Sequence, residues 1–116
     1  HAVAHAAAAH GRDVVVIPAG LTGEPSWDAQ EDWVAAVCIA LLAEAPVGEG
    51  ADRFAYWCGR IEHEGVARLF DSAPHAEKLR RAGLGLDIAY CAQLDITSAV
   101  PCMAERHGRG VVLRKA

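Results

Sequence analysis

Positive charge is in deficit: eleven Lys and Arg stand against fifteen Asp and Glu, a formal charge of −4. A chain so balanced offers no basic surface to nucleic acid. Its one local excess, Lys78, Arg80 and Arg81, is too short to track a polyanion and reads as a solvated helix face. No apolar run reaches the roughly 20 residues a helix needs to cross a bilayer, and no basic-then-apolar leader is read at the start, so no membrane contact is expected. The four cysteines, Cys38, Cys58, Cys91 and Cys102, never form C-x-x-C, which excludes a zinc knuckle or a thioredoxin-like redox motif. Each has apolar neighbours, the setting of small buried hydrophobes in a reducing compartment, and a cytoplasmic location is expected. Two catalytic motifs are missing as well. Gly20-Leu-Thr-Gly23 lacks the Gly-Lys-Ser/Thr ending of a P-loop, and Glu62-His63-Glu64 does not continue as the H-E-x-x-H of a zinc protease.

What remains is 116 residues, 53% of them hydrophobic, enough for a single core. Much of that fraction is alanine, which buries little area, so the core must rest on Val, Leu, Ile and the three tryptophans. The chain opens at His1 in an alanine-rich helical pattern without a methionine or a capping residue, as if a helix were entered midway. The expectation is a single domain over residues 1–116, or the C-terminal part of a larger one. After Gly11 the β-branched run of residues 13–20 predicts a strand covered on both faces, with residues 14–18 in the core sheet. A Gly/Pro loop follows, and Ser26 is placed to cap a helix beginning near Trp27. In that helix Trp33, Val34, Val37, Cys38, Leu41 and Leu42 form an apolar face to lay on the sheet. Shorter helices are expected over residues 51–93, broken near Gly59, Gly65, Ser72-Ala-Pro74 and Gly83. Two strands then flank a hairpin turn at His107-Gly-Arg-Gly110. The fold class expected is α/β, a mixed β-sheet flanked by helices and ending in a β-hairpin, as part of a larger α/β domain.

Chemistry concentrates where the first strand gives way to its helix, because α/β folds bind ligands at the carboxyl ends of strands and helix-start amides hold anions. There Gly20 and Gly23 precede Glu24, and a phosphate meeting that carboxylate needs a hard cation such as Mg²⁺ between them. A plain turn with a solvated glutamate is the simpler reading of those residues alone. Glu31 and Asp32 fall in the first turns of the helix, where its dipole favours carboxylates. Asp87 and Asp95, eight apart, are expected on one face of a helix. Asp87 suits a cap, whereas Asp95 at a helix end needs a metal or a hydrogen bond to justify it. His75 follows Ser72-Ala-Pro74 at a helix start, available as a base or a donor, while His1, His5 and His10 are expected to face solvent.

The string Gly83-Leu-Gly-Leu-Asp-Ile-Ala-Tyr-Cys-Ala-Gln-Leu-Asp95, followed by Val100-Pro101, resembles the C-terminal signature of the 2-phosphosulpholactate phosphatase family, Mg²⁺-dependent enzymes of coenzyme M biosynthesis and their bacterial relatives. Residues 14–20 with Gly23-Glu24 and Ser26, the pair Glu31-Asp32, and residues 72–79 resemble further segments of that family in the same order. The resemblance covers nearly the whole chain but only the C-terminal half of the family's length. It departs at Pro25 and Trp27, at Ala35-Ala36-Val37 and at Ala76, where relatives tend to have glycine. It implies hydrolysis of a phosphate monoester of a 2-hydroxy acid, a small anionic phosphate ester, with Mg²⁺ as cofactor. Glu24, His75 and Asp95 are the catalytic candidates implied; Glu24, Asp32 and Asp95 the metal ligands; Gly20, Gly23 and Ser26 the substrate-binding positions. It also implies a partner, either an N-terminal half of the same protein or a second copy, and a chain inactive alone. The competing reading is a non-catalytic remnant or interaction module that keeps the family fold.

Overall fold

A computed structural model describes residues 1–20, 29–44 and 46–116. Among them the elements run α1 (Ala2–Ala8), α2 (Gln30–Leu42), α3 (Ala51–Glu64), α4 (Val66–Asp71), α5 (Pro74–Arg81), α6 (Gly85–Cys91), β1 (Pro101–His107) and β2 (Gly110–Lys115). Helices followed by a terminal hairpin agree with the α/β class expected. None of the described helices is long and apolar enough to cross a membrane.

The core is built by helices. Val34 and Val37 of α2 meet Trp57 of α3 and Leu69 of α4, all four sealed from solvent. On α3 the residues Phe54, Trp57, Cys58 and Ile61 recur at helical spacing and all join this cluster, so the packing face is written into the sequence. On α2 nearly every side chain after Asp32 is apolar, and periodicity alone does not single out a face. Val34 and Val37 are buried as expected, with Trp33 and Cys38 packed at the margin, but Leu41 and Leu42 are exposed.

Two helix ends follow local chemistry closely. Proline at the start of α5 supplies a backbone already bent for the first turn, where no amide partner is lost. The same helix closes with Gly83 at φ +78, its N–H donating to the Arg80 carbonyl and that of Leu84 to the Leu79 carbonyl, the paired bonds of a Schellman ending. Gly65, at φ +81, separates α3 from α4. Gly59, by contrast, breaks nothing: α3 runs through it, held straight by the burial of Trp57 and Ile61 on either side. A second cluster of Ala73, Ala76 and Ile88 joins α5 to α6, so the Ala76 methyl serves packing.

The expected strand at residues 14–18 is not formed. No strand is assigned to these residues, and Val15 and Ile17 are 81% and 79% exposed. β-Branched residues favour an extended backbone but cannot supply the neighbouring strand that makes it a ladder. Among the described residues the only sheet is the hairpin itself, β1 antiparallel to β2, so α2 packs on helices and not on a sheet. The hairpin lies where expected, with Met103 opposite Leu113, His107 opposite Gly110, an irregularity between Met103 and Glu105, and Gly108 at φ +60 as the first turn residue. All but one of its residues are exposed.

The helical core makes stability unevenly distributed. Leu69→Ala should cost about 2–5 kcal/mol in urea unfolding, whereas Val15→Ala should stay within about 0.5 kcal/mol. The Trp57 indole N–H is buried without a partner, so Trp57→Phe removes an unsatisfied donor along with volume. It should be distinctly milder than Trp57→Ala in the same measurement.

Candidate functional site

The first turn of α2 holds three polar residues in sequence, and each reaches a different part of the chain. Gln30 is buried; its side-chain amide donates to the Leu69 carbonyl and to Ser72 Oγ at 3.0 Å. This ties the start of α2 to the end of α4. Two residues past Ser72, α5 begins at Pro74, and His75 sits in its first turn. Its Nδ1 lies 3.1 Å from Glu31 Oε1. Asp32 reaches the other way and accepts the Gly20 N–H at 2.9 Å on Oδ2. Gly20 itself has φ +65. A Cβ built there would stand 3.8 Å from the Ala29 Cβ, so these two residues approach closely.

Gln30, Glu31, Asp32, Gly20, Ser72 and His75 thus form one connected cluster. Its carboxylates are adjacent in sequence and repel, an arrangement the N-terminal end of α2 eases through its dipole. Glu31 is partly buried, and its second oxygen, Oε2, is a buried atom with no hydrogen-bond partner. An ionised carboxylate accepts at both oxygens, so this one is underused. Such an orphan suits a hard cation, which commonly takes one or two protein carboxylates and completes its shell with water and substrate oxygens. Among the described residues, however, no group of three or more His, Cys, Asp or Glu side chains gathers as a metal cage.

The cluster includes Gly20, Asp32 and His75 of the sequence candidates. Gly23, Glu24 and Ser26, with the departures Pro25 and Trp27 and the expected helix start near Trp27, lie outside the described residues. Asp95 has different company. α6 ends at Cys91, so Asp95 does not share a helix face with Asp87; it follows in the left-handed region at φ +58. Aspartate tolerates that conformation better than most residues, and a hydrogen bond, one of the two reasons anticipated for it, is present. His1 Nδ1 stands 2.9 Å from Asp95 Oδ2. That pair borders an apolar groove lined by Ala35, Cys38, Ile39 and Leu42 of α2. Reading the sequence missed Gln30 altogether. A glutamine at a helix start is ordinarily solvated, and nothing local signals partners 39 and 42 positions away.

The cysteines supply no nucleophile in this cluster. Burial pushes the Cys38 thiol above its ordinary pKa, with Cys58 adding to the effect; burial and then Glu62 do the same to Cys58. Cys91 and Cys102 are exposed, contrary to the burial expected of all four. A family model described as 2-phosphosulpholactate phosphatase matches residues 1–106. Neither curated proteins nor solved structures give a match.

Two measurements check this geometry. Gln30→Ala removes both bonds, leaving the Leu69 carbonyl only the long 3.4 Å contact from Ser72 Oγ, and should cost about 1–3 kcal/mol in chemical unfolding. Iodoacetamide at neutral pH should label Cys91 and Cys102 well before Cys38 and Cys58, because only thiolates react and burial disfavours the charged form; mapping by peptide mass gives the order.

Proposed function

The chain belongs to the 2-phosphosulpholactate phosphatase family, and from that membership we propose that its α2–α5 cluster is one wall of a Mg²⁺-dependent site hydrolysing phosphate monoesters of 2-hydroxy acids. The observation that carries this reading is the buried, unpartnered Glu31 Oε2, together with the Glu31–His75 contact. Magnesium, when bound, offsets the negative charge of phosphoryl oxygens approached by a nucleophile. Glu31 and Asp32 are the described residues that would hold it, and the family resemblance adds Glu24 and Asp95. Asp32 also fixes the Gly20 amide, keeping the chain entering residues 21–28 against the start of α2. Gly20, Gly23 and Ser26 would meet the ester's oxygens. In the reaction water adds to phosphorus, the ester P–O bond breaks, and the leaving alkoxide takes up a proton. His75 is the group of the cluster to which we assign the movement of that proton.

The chain is read as the C-terminal part of one such domain, cytoplasmic and inactive by itself, with its missing groups on an N-terminal half or a second copy. Exposed Val15, Ile17, Met103, Val111 and Leu113 favour a covering partner of this kind. They equally suit the second reading, an interaction module that keeps the fold without the chemistry.

Thermal unfolding with and without Mg²⁺ separates the two. The phosphatase reading expects a metal-induced rise in Tm that Glu31→Gln or Asp32→Asn abolishes. Glu24→Gln and Asp95→Asn test the two carboxylates assigned by resemblance alone. The isolated chain should show no turnover of phospho-2-hydroxy acids, and hydrolysis by residues 1–116 with Mg²⁺ would overturn that expectation. Absence of any Mg²⁺ effect favours the module.

A further inference from the structure

The terminal hairpin has two unlike faces. Its register sets Pro101 opposite Lys115, Met103 opposite Leu113 and Arg106 opposite Val111, and side chains directly opposite share a face. One face therefore carries exposed Met103, Val111 and Leu113 between Arg106 at one end and Lys115 at the other, with no acidic residue on it. On the other face Arg114 is answered by Glu105 at 3.3 Å. Residues 13–17 offer the complement. Exposure alternates from Val14 to Ile17 as 47, 81, 36 and 79%, the period of an extended strand with one side turned outward. That outer side holds Val15 and Ile17, preceded two residues earlier by exposed Asp13.

We infer that residues 13–17 of one copy add as a third, antiparallel strand to the open edge of β2 in a second copy, with Asp13 opposite Lys115, Val15 opposite Leu113 and Ile17 opposite Val111. The inference deepens the reading of this chain as part of a larger assembly and rests on it for the covering partner, whose identity it supplies. The register follows from the pattern. In it Val16 falls opposite Val112, the one hairpin residue that is not fully exposed, and Pro18, which has no N–H to give a ladder, ends the strand at the level of Gly110. Sliding the segment by two residues sets Asp13 against Leu113 and leaves Lys115 without its carboxylate; a parallel strand that brings Asp13 to Val111 sets Ile17 against Lys115. The β1 edge is the poorer one, because it begins at Pro101 and is interrupted between Met103 and Glu105.

Within one chain the two surfaces do not join, since among the described residues the sheet consists of β1 and β2 alone. Both ends of the segment are fastened to the helical body, α1 packing on α2 before it and the Gly20 amide donating to Asp32 after it. A second copy brings the same segment and the same edge, so the exchange is reciprocal and closes as a two-fold pair. Two ladders of this length bury less than a permanent interface needs. Pairing is therefore concentration-dependent, and single chains prevail at the dilution of an unfolding experiment.

The test is sedimentation of residues 1–116 over a wide concentration range. The weight-average mass should rise toward twice that of one chain. Asp13→Lys or Lys115→Asp should each abolish the rise, and the two together, which exchange the charges, should restore it. Both positions are exposed, so the helical core stays intact, as circular dichroism checks. Carbodiimide, which joins a carboxylate to an amine in contact with it, should link Asp13 to Lys115, and in a mixture of light and heavy-isotope chains the linked peptides should include mixed pairs. A chain that stays monomeric at every concentration, a dimer indifferent to Asp13→Lys, or a link found only within single chains overturns the inference. If such a monomer still shows the Mg²⁺-induced rise in Tm, the phosphatase reading stands without the pairing; a dimer with no Mg²⁺ effect keeps the pairing and defeats that reading.

Discussion

The buried amide of Gln30 is the contact on which the arrangement of α2, α4 and α5 depends. An apolar contact between helices tolerates sliding, whereas a buried amide loses a hydrogen bond with any displacement and cannot replace it with water. The Leu69 carbonyl and Ser72 Oγ therefore set the register of α2 against the end of α4. The sealed cluster of Val34, Val37, Trp57 and Leu69 supplies the bulk of the stabilisation behind it. Burial gives adhesion and the amide gives position, and the candidate cluster needs the second, because the His75–Glu31 contact fails with a displacement of about 1 Å.

The β-rich parts obey the opposite economy. A two-stranded hairpin on its own is marginal in water, and this one leaves its faces and both edges uncovered. Residues 14–17 have the composition of a buried strand yet are exposed to varying degrees. Both are surfaces that gain from an added strand or a covering layer, since an open edge presents unpaired amides and carbonyls to any extended chain.

How far the sequence disclosed this depends on whether a feature is local. Helices over residues 51–91 were legible because α3 has one clear apolar face and because Gly65, Pro74 and Gly83 act through their own backbone geometry. The hairpin was legible for the same reason, its turn glycine and flanking β-branched residues being adjacent. Gly59 misled because a helix absorbs a single glycine when its neighbours are buried, at a cost of about 1 kcal/mol. Residues 14–18 misled because strand formation needs a partner that composition does not name. At the candidate site, His75, Asp32 and Gly20 were named from local position and family resemblance, but the contact between His75 and Glu31 spans 44 positions and has no periodicity to betray it.

The two groups of acids differ in what they still require. Asp95 is met at one oxygen by the ring of His1. Asp32 is answered by the Gly20 amide and the dipole of α2. Glu31 is answered at one oxygen only, by the ring of His75, and its other oxygen is withdrawn from solvent without a partner. Leaving a buried carboxylate oxygen without a donor costs free energy that folding alone has no reason to spend. A donor or a cation from outside the described residues would recover it, and of the three acids Glu31 is the one whose surroundings leave such a partner a place.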